Sequence, residues 1–416
     1  MLLQFSCGNH RSIKEPVTFS MIASKDKTAI ERLKCFNNHT FVTRIAAIYG
    51  PNGSGKSNFI SAIAFAKNLI VNSLKYQPGN LLAQAPHKLL SVSTPSTYDF
   101  QFVYQNIRYA YGFSIINNLI DEEYLYYFPN KRKVKIFERK GMEIFPGNQY
   151  KNSFILSRDA LKENRLFLTC SANYSQVKEI ENAFLFFNQD VVIYRTNVDE
   201  PAGNNWFEYS INLMEKDPSV KKTFLRFMDA LGTGIRDIKT KIEVIDINQT
   251  EDLPEILKNI IASDSSKNGN VTNFQAKIVY DNFETDLKSE ESTGIKTLFQ
   301  IICPIMDILT KGKILIFDEI ETGLHEAVVR NIIELFYKLN QDQFAQLIFT
   351  THDTSLLDLE LFRRDQIWFT ELTKERATDL YSLIEIKDVR KHENIEKGYI
   401  HGKYGAIPIL NQSFIA

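Results

Sequence analysis

Residues 45–59 read IAAIYGPNGSGKSNF. Within them Gly50-Pro51-Asn52-Gly53-Ser54-Gly55-Lys56-Ser57 fills every fixed position of the phosphate-binding pattern G-x-x-x-x-G-K-S/T. The apolar run Ile45 to Ile48 suits a buried parallel strand. Phe59, Ile60, Ala62, Ile63 and Ala64 have helical spacing, predicting a helix that runs to about Lys75. Strand, glycine-rich loop and helix form the context this pattern requires. The glycines let backbone N–H groups close around phosphate oxygens at a helix N-terminus, where the dipole favours negative charge. Asn52, Gly53, Ser54 and Gly55 are therefore expected to line the cradle. Lys56 is expected to reach the β- and γ-phosphates, and Ser57 to ligate Mg²⁺.

A second stretch completes such a site. Lys313-Ile314-Leu315-Ile316-Phe317-Asp318-Glu319 is an apolar strand delivering two carboxylates to its C-terminal end, the Walker B arrangement. Asp318 is the expected holder of the Mg²⁺ shell, and Glu319 the expected group that orients and polarises an attacking water. Further on, Gln346-Leu347-Ile348-Phe349-Thr350-Thr351-His352-Asp353 is another apolar strand. It places His352 where a γ-phosphate could be sensed.

Length and composition bound the remainder. A chain of 416 residues, 44% hydrophobic and 24% charged, has the make-up of an ordinary globular protein with two or three subdomains. A net charge of −1 generates no global field for nucleic acid, so any such contact must come from a local patch. Cys7, Cys35, Cys170 and Cys303 are scattered without a C-x-x-C pair, which argues against a zinc site or a disulfide framework. No apolar run is expected to span a membrane and no signal-peptide core opens the chain, so the expected location is the cytoplasm.

Leu2 to Cys7 and Val17 to Ile22 read as an opening hairpin, followed by a polar stretch to about Thr40. From Thr97 to Phe145 alternating segments separated by Asn-Ile-Arg, Asn117-Asn118 and Pro129-Asn130 predict an inserted antiparallel sheet. Its cations Lys131, Arg132, Lys133, Lys135, Arg139 and Lys140 could meet phosphate backbones, or serve as a solvated edge that discourages aggregation. Helices are expected between about Ser157 and Leu231, including Ala160 to Phe167, Val177 to Asn188 and Val220 to Leu231. Asp264 to Asn270 reads as a loop and Phe274 to Tyr280 as a strand. No sustained heptads occur between the two halves of the site, so there is no long coiled coil.

Asn9-His10-Arg11-Ser12, some forty residues before the phosphate loop, resembles the opening of Rad50/SMC-type and related ABC-class ATPases. Ser292-Thr293-Gly294 before a helical Leu298 to Leu309 resembles a degenerate ABC signature, with Glu291, Thr293 and Ile295 departing from LSGGQ. Glu321-Thr322-Gly323-Leu324-His325 and the closing Gly398 to Pro408 extend the likeness, although Glu326 stands where a Pro is common. Together these motifs resemble the AAA15/AAA21 group of ABC-class (SMC/Rad50/OLD-like) ATPases, relatives of RloA-like and PtuA-like bacterial defence systems.

That resemblance implies an α/β fold: an ABC/SMC-like P-loop NTPase head with an inserted antiparallel β lobe and a helical lobe. Residues 1–155 would form the N-terminal half of the head with the β lobe, 156–290 the helical lobe, and 291–416 the C-terminal half. It implies ATP and Mg²⁺ as cofactors, Arg11 and Ser12 near the phosphates, and Ser292 and Gly294 on the nucleotide of a facing protomer. It also implies a head-to-tail dimer or higher assembly that gates a separate effector, a TOPRIM or HNH nuclease, in antiviral or abortive-infection defence. No nuclease site is recognised in the chain itself: His325, His392 and His401 lack metal-ligand spacing. The alternative is a repair or DNA-end ATPase acting directly on nucleic acid.

Overall fold

The computed structural model describes residues 1–37, 40–195, 206–246, 270–338, 343–390 and 393–407. Two compact units emerge. The first comprises 1–197, 308–322 and 329–416; the second comprises 198–307 and 323–328.

The first unit is built on a six-stranded sheet in the order Val191–Arg195, Ile314–Asp318, Gln346–Thr350, Ile45–Tyr49, Ile367–Leu372, Thr378–Ser382. The first five strands are parallel and the last is antiparallel. The three strands Ile45–Tyr49, Ile314–Asp318 and Gln346–Thr350 are buried along their whole length. That burial explains their continuous apolar runs, since a sheet covered on both faces needs no polar alternation. The helix Lys56–Asn72 follows the phosphate loop and ends in a 3₁₀ turn at Ser73–Lys75, as expected.

A second sheet of seven antiparallel strands runs Glu143–Pro146, Val134–Lys140, Leu119–Phe128, Ile107–Ile116, Ser96–Tyr104, Leu2–Gly8, Val17–Ser20. The antiparallel lobe is therefore continuous with the opening hairpin, because Leu2–Gly8 pairs with Ser96–Tyr104. Gln346 fastens it to the central sheet: its amide nitrogen donates to the carbonyls of Leu2 and Thr43, and its oxygen accepts from the N–H of Leu2. Phe5, Phe19 and Phe59 meet as edge and tilted ring pairs in the core between.

Three local expectations are corrected. Ala160 to Phe167 is not a helix; the helix occupies Phe167–Tyr174. Its first N–H groups, from Phe167 and Leu168, donate to the Glu123 carboxylate at 2.6 and 2.8 Å, so the cap from a distant strand sets where the helix starts. Val191–Arg195 is a strand, paired in parallel with Ile314–Asp318. The polar stretch before Thr40 contains half of a small hairpin, Leu33–Asn37 with Thr40–Thr43.

The basic run on the antiparallel lobe is partly neutralised. Arg139 is buried against Glu123 at 3.3 Å, both side chains fully inaccessible. Removing either would leave a buried unpaired charge, a cost of about 3–5 kcal/mol. Lys135 pairs with Glu138 and Lys140 with Glu122, whereas Lys131, Arg132 and Lys133 are exposed.

The second unit contains the helices Trp206–Lys216 and Pro218–Ala230, a three-stranded antiparallel sheet (Asp237–Asp246, Asn270–Val279, Glu284–Asp286) and most of the helix Thr293–Lys311. Phe299 on that last helix packs on Phe207 and Phe224. The same helix is, among the described residues, the one long and apolar enough to cross a membrane, with mean hydropathy 1.2 and half of it buried. This corrects the expectation that no apolar run reaches spanning length. Its ring contacts are those of a core helix. The expected loop from Asp264 lies outside the described residues except for Asn270, which begins a strand; His392 and Pro408 also lie outside them.

Candidate functional site

The phosphate loop leaves the strand Ile45–Tyr49 and turns into its helix through two tight approaches. A Cβ on Gly50 would stand 2.4 Å from both the Thr370 carbonyl and its hydroxyl, and one on Gly55 would stand 1.9 Å from the Thr378 hydroxyl. Gly55 also holds φ +108, so no L side chain fits there on either count. At the tip, Asn52 and Gly53 are exposed, and nothing lies within 4 Å of a Cβ built on Gly53. The loop is thus braced behind and open in front.

The bracing residues come from the two strands beyond the central one. Thr370 shares a hydroxyl contact of 2.6 Å with Ser54 and donates to the Tyr49 carbonyl at 3.3 Å. Thr378 donates to the Ser54 carbonyl at 2.9 Å and meets the Ser12 hydroxyl at 2.7 Å. Ser12 in turn accepts from the Asn58 amide at 2.7 Å, and its carbonyl accepts the Thr378 N–H. Ser12 is therefore engaged with the rear of the loop. Arg11, at φ +49, is exposed, and its backbone N–H donates to Ala85. Thr370, Thr378 and Asn58 were not legible as site residues, since a threonine on a strand carries no signal of which loop it will meet.

Lys56 is 5% exposed and folds back into the loop, donating to the carbonyls of Gly50 at 2.7 Å and Pro51 at 3.2 Å. Its ammonium is 3.5 Å from His352 Nδ1. Burial lowers the Lys56 pKa to about 8, opposed by the charges of Glu321, Asp318 and Glu319. Partial burial and then the Lys56 charge lower that of His352.

Ser57 Oγ donates to Asp318 Oδ1 at 3.2 Å, and Thr350 Oγ1 donates to the same oxygen at 2.7 Å. Thr350 Oγ1 also accepts the N–H of Glu319 at 2.7 Å. Glu319 is held at φ +56, in the left-handed region that only a few non-glycine residues enter. The Thr350 hydroxyl thereby fixes both carboxylate residues to the neighbouring strand. Glu321 accepts the N–H of His352 at 2.6 Å, and its other oxygen is buried without a hydrogen-bond partner. Lys56, Ser57, Asp318, Glu319 and His352 are all brought to the same ends of adjacent parallel strands.

Ser292 and Gly294 lie in the second unit. Ser292 caps the helix Thr293–Lys311 by accepting the N–H of Ile295 at 3.3 Å. Both residues line a groove of about 460 Å³ with Thr233, Leu298, Leu324 and His325.

A family model described as "AAA domain, putative AbiEii toxin, Type IV TA system" matches residues 45–152 and 174–358, well over half of the chain. The chain belongs to this family, AAA_21. Its matched residues contain the phosphate loop, the Asp318-Glu319 strand and His352. Among solved structures, the AAA_21 chain is similar to an SMC head bound to the C-winged helix domain of ScpA, at 13% identity and TM-score 0.43, covering 92% of this chain and 97% of the other. It is also similar to the SMC head domain from Thermotoga maritima, at 13% identity and TM-score 0.40, covering 92% and 98%. Likenesses this distant add nothing to the strand order above, and it is that order, with the loop and carboxylates it aligns, that defines the ABC/SMC-like P-loop NTPase fold. No curated protein matches the sequence.

Proposed function

We propose that this AAA_21 chain binds and hydrolyses ATP, dimerises head to tail around it, and uses the cycle to gate a separate effector in prokaryotic antiviral or abortive-infection defence. The observation that carries the ATPase reading is the convergence of Lys56, Ser57, Asp318, Glu319 and His352, with Lys56 3.5 Å from His352 and Ser57 3.2 Å from Asp318. The glycine cradle, filled behind by Thr370 and Thr378 and open at Gly53, fits a polyphosphate. Bound Mg²⁺ would neutralise developing charge on the transferred phosphoryl group.

In this reading the Asn52 to Gly55 backbone N–H groups cradle phosphate oxygens. Lys56 turns its ammonium from the Gly50 and Pro51 carbonyls to the β- and γ-phosphates. Ser57 and Asp318, already in contact, would share the Mg²⁺ shell. Glu319 orients the attacking water and accepts its proton, and His352 senses the γ-phosphate. Arg11, whose side chain is exposed, would reach the phosphates, while Ser12 acts through Thr378 and Asn58. Ser292 and Gly294 meet the triphosphate of a facing protomer, so that ATP forms part of the interface.

The finer grouping with RloA-like and PtuA-like defence ATPases, and a TOPRIM or HNH nuclease as effector, rest on the motif resemblance alone; the AbiEii wording of the family description supports the defence setting. Co-purifying the chain with the products of its neighbouring genes, with and without ATP, and weighing the complexes tests the reading. A nucleotide-dependent change in effector retention is expected. A chain that stays monomeric with ATP and captures no neighbour would overturn the gating role. Exposed Lys131, Arg132 and Lys133 favour a second reading, an ATPase acting directly on nucleic acid; DNA-stimulated turnover by the isolated chain would favour it.

A further inference from the structure

At one end of the antiparallel sheet three connections converge, and none belongs to the ATP site. The turn at Gln105-Asn106 joins Ser96–Tyr104 to Ile107–Ile116, and the connection at Pro129–Lys131 joins Leu119–Phe128 to Val134–Lys140. Phe36, Asn37 and Thr40 of the small Leu33–Asn37 and Thr40–Thr43 hairpin face them. Between them lies a half-open pocket of about 420 Å³, lined chiefly by Phe36, Asn106, Arg108, Phe128, Asn130 and Lys131. Among the described residues no carboxylate lines it.

The chemistry of that wall is specific. Arg108 is half-buried, with its guanidinium carbon 4.6 Å from the centre of the Phe128 ring. One terminal nitrogen donates to Gln101, whereas Nε is shielded from solvent and donates to nothing. A buried donor on a cation without an acceptor is costly, and such a group is satisfied by an anion or a carbonyl from outside. Asn106, Asn130 and Lys131 all have positive φ, at 61°, 50° and 65°. Those left-handed turns bring two carboxamides and an ammonium to the same rim. Two cations, three carboxamides and two phenyl rings, with no opposing carboxylate among the described residues, match a phosphate joined to a planar heterocycle: cations take the phosphate, rings stack on the base, and carboxamides read its edge. The volume lies within the range of small-ligand pockets.

We propose that this pocket binds one nucleotide unit, distinct from the ATP held at the phosphate loop, presented either by a single-stranded nucleic acid or as a free nucleotide. Lys131 and Arg108 take its phosphate, and Phe36 and Phe128 take its base.

The test uses the full chain with the phosphate loop saturated by ADP and Mg²⁺. Fluorescein-labelled 15-mers of deoxythymidine and of uridine are titrated by anisotropy, with AMP and UMP as competitors, over a range of salt. Binding is expected, with Lys131→Gln and Arg108→Gln each weakening it about tenfold and reducing the salt slope for a strand by roughly 0.7 per lost phosphate contact. ATP turnover should stay unchanged in both variants. Mononucleotides that compete at the affinity of the 15-mers identify a free nucleotide as the occupant; 15-mers that bind while mononucleotides do not identify a strand. Because Arg108 supports Gln101 and could matter for folding, Lys131→Gln in an exposed turn carries the test on its own. Absence of binding by every probe, or binding that Lys131→Gln leaves unchanged in affinity and salt slope, overturns the proposal.

Discussion

The ammonium of Lys56 and Nδ1 of His352 stand 3.5 Å apart, joining two residues separated by 296 positions in the chain. Burial makes the charged form of both less favourable, and the Lys56 charge further disfavours a protonated His352. At neutral pH the pair therefore holds one proton's worth of charge, on Lys56. The imidazole remains neutral, with Nδ1 able to accept when the other ring nitrogen carries the hydrogen. A γ-phosphate that drew the ammonium away would leave Nδ1 without that donor, and the hydrogen His352 could offer the phosphate is the one on Nε2.

This arrangement predicts a pH dependence with opposite signs for binding and stability. The Lys56 pKa is lowered to about 8 from an ordinary 10.5. Between those values the folded, nucleotide-free chain holds fewer protons at this site than the unfolded chain. Its contribution to stability therefore rises with pH across that window. A polyphosphate favours the ammonium, so nucleotide affinity should fall as pH rises through about 8, with binding at pH 9 taking up close to one proton. Calorimetric titration in two buffers of different ionisation enthalpy measures the uptake. Zero uptake, with affinity flat from pH 7 to 9.5, would contradict the assignment of Lys56 to the phosphates; Lys56→Arg should abolish the uptake.

Lys56→Ala should remove tight ATP binding, because charge-assisted contacts to phosphate are the strong ones and Lys56 is the cation seated in the loop. A loss of about 100-fold or more in nucleotide affinity is expected by equilibrium dialysis. Affinity like that of the unaltered chain would sink the phosphate-loop assignment.

Glu319→Gln should lower ATP turnover by about 10²- to 10⁴-fold while leaving nucleotide binding intact. The Asp318, Ser57 and Thr350 contacts do not pass through its carboxylate. If hydrolysis resets the gate, the variant accumulates as an ATP-loaded dimer with its effector held in one state. Turnover at the ordinary rate would show that Glu319 is not the base.

Thr378→Val removes a buried hydroxyl that holds both Ser12 and the Ser54 carbonyl while keeping its shape. The cost should be about 1–3 kcal/mol in stability, accompanied by weaker nucleotide binding as the loop loosens. A double-mutant cycle with Ser12→Ala should give coupling of at least about 0.5 kcal/mol. Strict additivity would mean that Ser12 acts on the site independently of Thr378.

Ser292→Arg should leave ATP binding by monomers intact and prevent the ATP-dependent dimer, which native mass measurement in a Glu319→Gln background would reveal. Unchanged dimer formation would mean that Ser292-Thr293-Gly294 is not a signature facing another protomer.

The parts of the site legible in the sequence are those encoded by neighbours along the chain. Gly50 to Ser57 and Asp318-Glu319 follow unbroken apolar runs, and such runs become central strands ending at one edge. What escaped reading depends on partners far away in the sequence. Arg139 reads as one more surface cation but is buried because Glu123 lies across from it. Thr350 looks like any strand threonine, yet its hydroxyl touches both Asp318 and Glu319. In each case the outcome was set by burial beside a specific partner and not by local propensity.

The bracing of the phosphate loop by Thr370 and Thr378 has a consequence for biosynthesis. Ser54 waits for a partner 324 residues downstream, and its strand pairs on one side with Gln346–Thr350 and on the other with Ile367–Leu372. At about 5–20 residues per second, a ribosome needs roughly 15–65 s to deliver that partner after Ser54 is made. For most of that interval the strand Ile45–Tyr49 has neither neighbour, and its loop has no wall behind it. A nascent chain should therefore gain nucleotide binding in one late step, when the last two strands close the sheet. Until then its apolar central strand is a natural client for a chaperone.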